Sequence, residues 1–161
     1  MTTLGPPSGA GPAGPWPVAV HLGMIALVLG VGIAIGTTVR PGDWYGSLNK
    51  AWFTPPPAVF GPVWTVLYVL IGWAGARKIL HGGARGLWVG QMALNWAWSP
   101  VFFGLHWTGA ALAIILCMLV LILAFIAAEW RRDRLSALMF VPYAVWVSLA
   151  SAVNAGVVWL N

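Results

Sequence analysis

Long apolar runs separated by short charged clusters are the main pattern of this chain. Five such runs occur, each about twenty residues long, which is enough to cross roughly 30 Å of hydrocarbon as an α-helix. They do not alternate apolar and polar residues as barrel strands do, and only helices and closed barrels span a bilayer. The pattern therefore predicts an all-α membrane protein, a bundle of five transmembrane helices at 18–39, 62–80, 87–103, 109–130 and 135–160.

The segments outside these helices set the domain organisation. Residues 1–17 are rich in Gly and Pro and contain no Lys or Arg, so they lack the basic start of a secretory signal and are predicted to be a retained, disordered tail. Residues 18–161 form one transmembrane domain. Its first loop, 40–61, carries aromatic rings and prolines, including Trp52, where an ordinary connector has small polar residues. This loop is predicted to cover a binding site.

Composition and charge agree with a membrane location and predict an orientation. Apolar residues make up 60% of the chain and charged residues only 7%. The connectors after the second and fourth helices hold six Lys and Arg residues, whereas the opposite face holds only two, Arg40 and Lys50. Because cytoplasmic loops are enriched in Lys and Arg, the amino terminus is predicted to be cytoplasmic. The net charge of +5 is thus a topology signal, and it gives no support to nucleic-acid binding.

Aromatic residues form stripes along two helices. Trp64 and Tyr68 are four residues apart on the second helix. On the fifth helix, a stripe at spacings of 3, 4 and 4 contains Tyr143, Trp146, Ala150 and Asn154. Such stripes fit the wall of a ligand pocket, but the same spacing also fits aromatic packing between helices.

The third helix has two different faces. Small residues at spacings of 4, 3 and 4 form a smooth stripe that allows close helix approach: Gly86, Gly90, Ala93 and Ala97. Gln91, Asn95 and Trp98 lie on the other side of the helix. This pattern predicts a homodimer through the third helix, with the polar and aromatic face turned into each bundle. The alternative is that the small face packs on a helix of the same chain.

Few residues offer polar or metal chemistry inside the membrane. Asn95 and Asn154 are the deepest amides, and they either bond to each other or anchor a ligand. Cys117 is the only cysteine and is interpreted as a small apolar filler. The three histidines share no metal-ligand spacing and are interpreted as interfacial residues, with axial haem ligation as the alternative. No metal site is predicted.

Several motifs resemble one known family. In the loop and second helix they are Trp44-Tyr45, Leu48-Asn49-Lys50, Pro55-Pro56 and Gly61-Pro62-Val63-Trp64-Thr65 with Leu67-Tyr68. In the third and fifth helices they are Gln91-Met92-Ala93-Leu94-Asn95-Trp96-Ala97-Trp98-Ser99 and Pro142-Tyr143-Ala144-Val145-Trp146 with Asn154. These residues resemble the tryptophan-rich sensory protein family, TspO, also called translocator protein or peripheral-type benzodiazepine receptor. The match covers nearly all of the chain from the first helix onward.

The resemblance implies a five-helix bundle, usually dimeric, in a bacterial membrane, with a pocket closed by the first loop. Members bind protoporphyrin IX, haem, sterols and isoquinoline carboxamide drugs as ligands, and no cofactor is required. Matching the motifs implies these pocket residues: Trp52, Trp64, Tyr68, Asn95, Trp98, Trp146, Ala150 and Asn154. Tyr143 joins them through its helical stripe. Stacked indoles with a few polar donors suit a flat macrocycle with carboxylates. Arg40 or Lys50 can pair with the propionates or remain solvated.

This chain also departs from the family pattern. Ala58 stands where Trp often follows the double proline, and Ala51 stands where a proline usually follows the lysine, so loop closure is expected to be looser. The carboxy-terminal sterol motif of animal members is absent, which makes tight cholesterol binding doubtful.

The resemblance leaves three functional classes. The first is a porphyrin-binding sensor or regulator of tetrapyrrole metabolism. The second is an enzyme that degrades porphyrins in light and oxygen, with Trp64 and Trp146 as redox partners. The third is a porphyrin or sterol transporter, although the broken helices and inverted repeats typical of transporters are not evident. No acid/base pair or nucleophile points to hydrolysis.

Overall fold

The computed structural model describes residues 16–161, and all of its regular elements are helices. They are α1 Trp16–Thr38, α2 Asp43–Ser47, α3 Pro57–His81, α4 Arg85–Ser99, a π-helical segment Pro100–Gly104, α5 Thr108–Glu129 and α6 Arg134–Leu160. The predicted tail lies outside the described residues up to position 15. Its last two residues, Trp16 and Pro17, belong to α1, since proline is well suited to the first turn of a helix.

Within residues 16–161, four helices are long and apolar enough to cross a membrane: α1, α3, α5 and α6. The predicted third helix is instead divided. α4 has 15 residues, or about 22 Å, which is short of the hydrocarbon thickness, and it continues into the π-helical segment. There the Leu105 N–H donates to the Pro100 carbonyl at 2.9 Å. The all-helical membrane architecture is therefore confirmed, while a fifth crossing remains a prediction that rests on α4 and the π-helical segment together.

The first loop is shorter than predicted, because α3 begins at Pro57 and not at residue 62. Proline is favoured in the first turn of a helix, where its missing N–H would have no partner in any case. Pro62, the predicted first residue of this helix, lies inside it. The loop that remains, residues 39–56, contains the short helix α2.

The helices pack α1 on α3, α3 on α6, α6 on α5, and α5 on α4. The core between them is apolar and aromatic, with Phe125 and Phe140 stacked at 4.1 Å between ring centroids. α1 is the least enclosed of the long helices, since Val28 is its only buried residue. One side of α1 is therefore free to form the wall of a cavity.

A buried ion network closes the end of the bundle opposite the first loop. The Lys78 ammonium lies 2.6 Å from a Glu129 oxygen and 3.1 Å from an Asp133 oxygen. Arg77 also donates to Asp133 at 2.8 Å, and the Ala84 N–H donates to Glu129 at 2.6 Å. Gly83 has a φ of 108° and lies so close to Glu129 that a Cβ would overlap the carboxylate. The network joins the α3–α4 turn to the α5–α6 turn.

Candidate functional site

A cavity of about 490 Å³ lies under the first loop, between α1, the start of α3 and the end of α4. Four of the predicted pocket residues line it: Trp64, Tyr68, Asn95 and Trp98. The loop contributes the cover through Pro41, Tyr45, Lys50 and Pro55. Its size is within the range of small-molecule sites, roughly 300 to 1,000 Å³.

A chain of hydrogen bonds leads from the cavity wall into the core. The Tyr68 hydroxyl donates to the Asn95 carbonyl oxygen at 3.1 Å, and the Asn95 amide donates to the Tyr143 hydroxyl at 2.9 Å. Tyr143 donates to Gln91 at 2.9 Å, and Gln91 donates to the Trp88 carbonyl at 2.9 Å. Because unpaired polar groups are costly in a membrane interior, this chain fixes the orientation of the Tyr68 and Asn95 side chains in the wall.

The two deep amides do not bond to each other, which corrects one of the two expectations for them. Asn154 accepts a hydrogen bond from the Trp98 indole N–H at 3.1 Å and donates to the Thr108 carbonyl at 3.0 Å. The Trp98 ring also stacks on Phe102 with 5.1 Å between centroids. Asn154 therefore holds one of the indoles of the cavity wall from behind.

The remaining predicted pocket residues do not line the cavity. Tyr143 is fully buried behind Asn95. Trp146 packs edge to face on Phe60 at 5.4 Å and lines a separate apolar groove between α3 and α6. Ala150 is partly buried against the core, and Trp52 is 95% exposed on the loop. The α6 stripe thus forms a second layer behind the wall.

One wall of the cavity was not predicted from the sequence, and it belongs to α1. Leu29, Gly32, Ile33 and Gly36 all line the cavity. At Gly32, an added Cβ would overlap the ring of Tyr68, so only glycine allows the tyrosine to lie where it does. The signal was present in the four-residue spacing of Gly32 and Gly36, which also fits close packing of two helices.

The loop over the cavity is attached at several points. Trp44 stacks on His106 with centroids 4.0 Å apart. The Asn49 N–H donates to the Asn161 side-chain oxygen at 3.0 Å, and the Asn161 amide donates back to the Asn49 carbonyl at 3.1 Å. Burial raises the pKa of the Tyr45 phenol, so this ring presents a neutral hydroxyl. These contacts hold the loop against the residue that follows α6 and the turn that follows the π-helical segment.

The predicted dimer stripe is only partly open. Gly86, Ala93 and Ala97 are exposed on α4. Gly90 instead faces α5, since a Cβ there would lie 3.2 Å from Leu121.

Among residues 16–161, no three His, Cys, Asp or Glu side chains come together as a metal site. Cys117 is exposed on α5, so it does not fill the core as expected.

Comparison with known proteins gives consistent matches over most of the chain. The model of the TspO/MBR family matches residues 24–160. The tryptophan-rich sensory protein of Cereibacter sphaeroides is 36% identical over 129 residues, which cover 78% of this chain and 82% of that protein. Protein CrtK of Rhodobacter capsulatus is 36% identical over 80% of this chain and 84% of its own length. The human translocator protein is 33% identical over 88% of this chain and 89% of its own.

Proposed function

The chain belongs to the TspO/MBR family, and from this premise we propose that it is a membrane receptor that binds porphyrins in the cavity under its first loop. The proposed role is sensing, by which porphyrin binding regulates tetrapyrrole metabolism or a stress response. The chemistry of the cavity wall is the observation that carries this proposal. Two indoles, Trp64 and Trp98, flank a polar pair formed by Tyr68 and Asn95. A flat apolar macrocycle can stack on the indoles while the polar pair orients it.

Other ligands are proposed to share the same cavity. Haem, sterols and isoquinoline carboxamide drugs all have an apolar body that fits aromatic walls. The proposal requires no cofactor. Sterols are expected to bind less tightly than porphyrins, since the carboxy-terminal sterol motif is absent.

The arrangement in the membrane is part of the proposal. We propose five crossings, with α4 and the π-helical segment together forming one of them, and a cytoplasmic amino terminus. The ratio of six to two Lys and Arg residues between the two faces supports this orientation. The cavity and its loop then lie on the side opposite the cytoplasm.

A homodimer through α4 is also proposed, supported by the exposed small residues Gly86, Ala93 and Ala97. The test is an Ala93→Cys variant in a Cys117→Ser background. Crosslinked dimers are expected on oxidation in membranes. A Gly90→Cys variant is the matched control, because position 90 faces α5 and should crosslink less. Absence of any Ala93 crosslink would count against the dimer.

Porphyrin binding is tested by tryptophan fluorescence titrated with protoporphyrin IX in the dark. Saturable quenching is expected for the wild type. Trp64→Phe should weaken the binding, since Trp64 lines the cavity. Trp146→Phe is the matched control, because this indole lines the outer groove and should leave the affinity nearly unchanged. If the wild type shows no saturable quenching, the proposed function is wrong.

One observation favours light-driven porphyrin degradation as a second function. Between ring centroids, Trp64 lies 5.2 Å from Tyr68 in the cavity wall and 6.2 Å from Tyr143 behind the wall, so oxidisable rings are adjacent at the cavity. Oxygen would be the oxidant. Illumination with oxygen should produce a new absorbance band, which Trp64→Phe should slow. The same band under argon, or its formation at an unchanged rate in the variant, would contradict this function.

A further inference from the structure

Among the residues that the structure describes, Lys50 is the one charged residue that lines the cavity. Its ammonium donates to the Leu48 carbonyl at 3.0 Å and contacts the Gly46 carbonyl at 3.4 Å. It also lies 4.6 Å from the centre of the Tyr45 ring. These contacts hold the cation in one place at the loop end of the cavity. They use two of its three N–H donors and supply no negative charge.

Among residues 16–161, no carboxylate lies within 4.0 Å of this cation. The chain has only three acidic side chains, and residues 1–15 contain none of them. Glu129 and Asp133 are paired with Lys78 and Arg77 at the opposite end of the bundle. Asp43 is the one acidic side chain in the loop sequence, and among the described residues Lys50 forms no ion pair within 4.0 Å. A partly buried cation without a counter-charge is poised to receive an anion.

We propose that Lys50 binds a carboxylate of the ligand, so that the cavity selects amphiphiles with an apolar ring system and an acidic end. This inference rests on the proposed function, because it assigns a specificity residue to the same cavity. The apolar walls provide affinity for the ring system, and Lys50 distinguishes an acid from its neutral ester. Arg40, the other cation on this face, is exposed and does not line the cavity.

The test compares protoporphyrin IX with its neutral dimethyl ester, by fluorescence quenching in an uncharged detergent. The wild type is expected to bind the free acid about fivefold more tightly, the ratio expected for a partly screened ion pair of about 1 kcal/mol. Lys50→Gln should reduce this ratio to about one while leaving the affinity for the ester unchanged. Lys50→Arg should retain most of the preference. Arg40→Gln is the matched control, because it removes the same charge from the same face and should behave as wild type.

The outcomes separate the two proposals. If the wild type binds the ester and the acid equally, porphyrin binding stands and the role of Lys50 is wrong. The role is also wrong if Arg40→Gln loses the preference as fully as Lys50→Gln, since the effect would then be general surface charge. If neither porphyrin binds, the proposed function fails and the inference fails with it.

A lipid phosphate is the other anion that Lys50 could bind, and repeating the titration in phosphatidylcholine and phosphatidylglycerol nanodiscs tests for it. A preference that disappears only with phosphatidylglycerol would assign Lys50 to a lipid phosphate and overturn the proposal.

Discussion

The two ends of the bundle satisfy their charged groups in opposite ways. At the end formed by the α3–α4 and α5–α6 turns, Lys78 is buried and paired with both Glu129 and Asp133. At the loop end, Lys50 has only carbonyls and a ring around it, beside a cavity of about 490 Å³. The buried carboxylates and ammonium of the first end are paired within the protein, whereas the second end leaves space and charge for a ligand.

This contrast assigns different tasks to the two ends. A buried ion network has one favourable arrangement, because removing either partner leaves a buried charge unpaired. It therefore fixes how α3, α5 and α6 meet. The loop end is held by exposed hydrogen bonds and ring contacts, which are weak enough to break and re-form around a ligand. Stability should depend mainly on the first end and ligand binding mainly on the second.

The largest effect is expected from Glu129→Gln. The change removes a fully buried charge and leaves the Lys78 ammonium with Asp133 alone, which should cost about 3 kcal/mol. Thermal unfolding in detergent should show a clear loss of stability, while porphyrin affinity measured well below the new Tm should stay within about twofold of wild type. Arg132→Gln, at an exposed neighbouring position, is the control and should leave Tm unchanged. If Glu129→Gln folds with a normal Tm but binds porphyrin poorly, the assignment of stability to this end and of binding to the loop end is wrong.

The second-largest effect is expected at the loop end, where Gly32→Ala should weaken porphyrin binding. A Cβ at position 32 overlaps the Tyr68 ring, which must then move away from Asn95. Porphyrin affinity should fall by about tenfold, or about 1.4 kcal/mol. Gly36→Ala is a close control, since residue 36 lines the same cavity on the same helix but has no atom within 4 Å of the added Cβ. Equal affinities of the two variants would show that the Tyr68 position does not matter for binding.

These two glycines also show what the sequence could and could not predict. Hydrophobic run length predicted the long helices, because burial in lipid requires it. The spacing of Gly32 and Gly36 is typical of a smooth helix face, but it does not show whether a helix or a ring lies against that face. The ring is Tyr68, whose position depends on how α1 and α3 are rotated against each other. Such rotation follows from packing of the whole bundle.

The α6 stripe demonstrates the same limit. Spacing correctly placed Tyr143, Trp146 and Asn154 on one side of a helix, but these residues serve different neighbours. Tyr143 supports Asn95, Asn154 supports Trp98, and Trp146 packs on Phe60. The helical period gives only the angular position of each residue around the axis of its own helix. Which side chains reach the cavity depends on how the neighbouring helices pack. The sequence therefore could not distinguish residues that line the cavity from residues that lie behind its wall.

A smaller effect is expected from Asn161→Ala, which removes two of the three hydrogen bonds between Asn49 of the loop and the end of α6. The variant loses both exposed hydrogen bonds between the Asn161 side chain and the Asn49 backbone. Together these are worth about 1 kcal/mol, so the porphyrin dissociation rate should rise a few-fold in stopped-flow measurements. Tm should change little, because the ion network at the other end is untouched. An unchanged dissociation rate would mean that these two hydrogen bonds do not hold the loop closed, and that the bond from the Asn49 side chain to the Leu160 carbonyl and the ring contacts are sufficient.

The last prediction concerns how the thermal stability of the protein depends on acid pH through the ion network. This effect is the smallest at neutral pH and the most specific to the end of the bundle that holds the network. Burial disfavours the charged form of Asp133, but hydrogen bonds from Arg77, Ser136 and Lys78 outweigh it and hold the pKa of this carboxyl well below its usual range. The folded protein therefore binds this proton less readily than the unfolded chain, whose carboxyl titrates near pH 3.9. The stabilisation is fully present above that value and is lost as the pH falls below it, through the folded pKa. Without ligand, Tm should be flat from pH 7 to about pH 5 and then decline, and Asp133→Asn should flatten the decline. If Tm declines equally at acid pH in the wild type and in Asp133→Asn, the acid sensitivity belongs to another group and the ion network does not cause it.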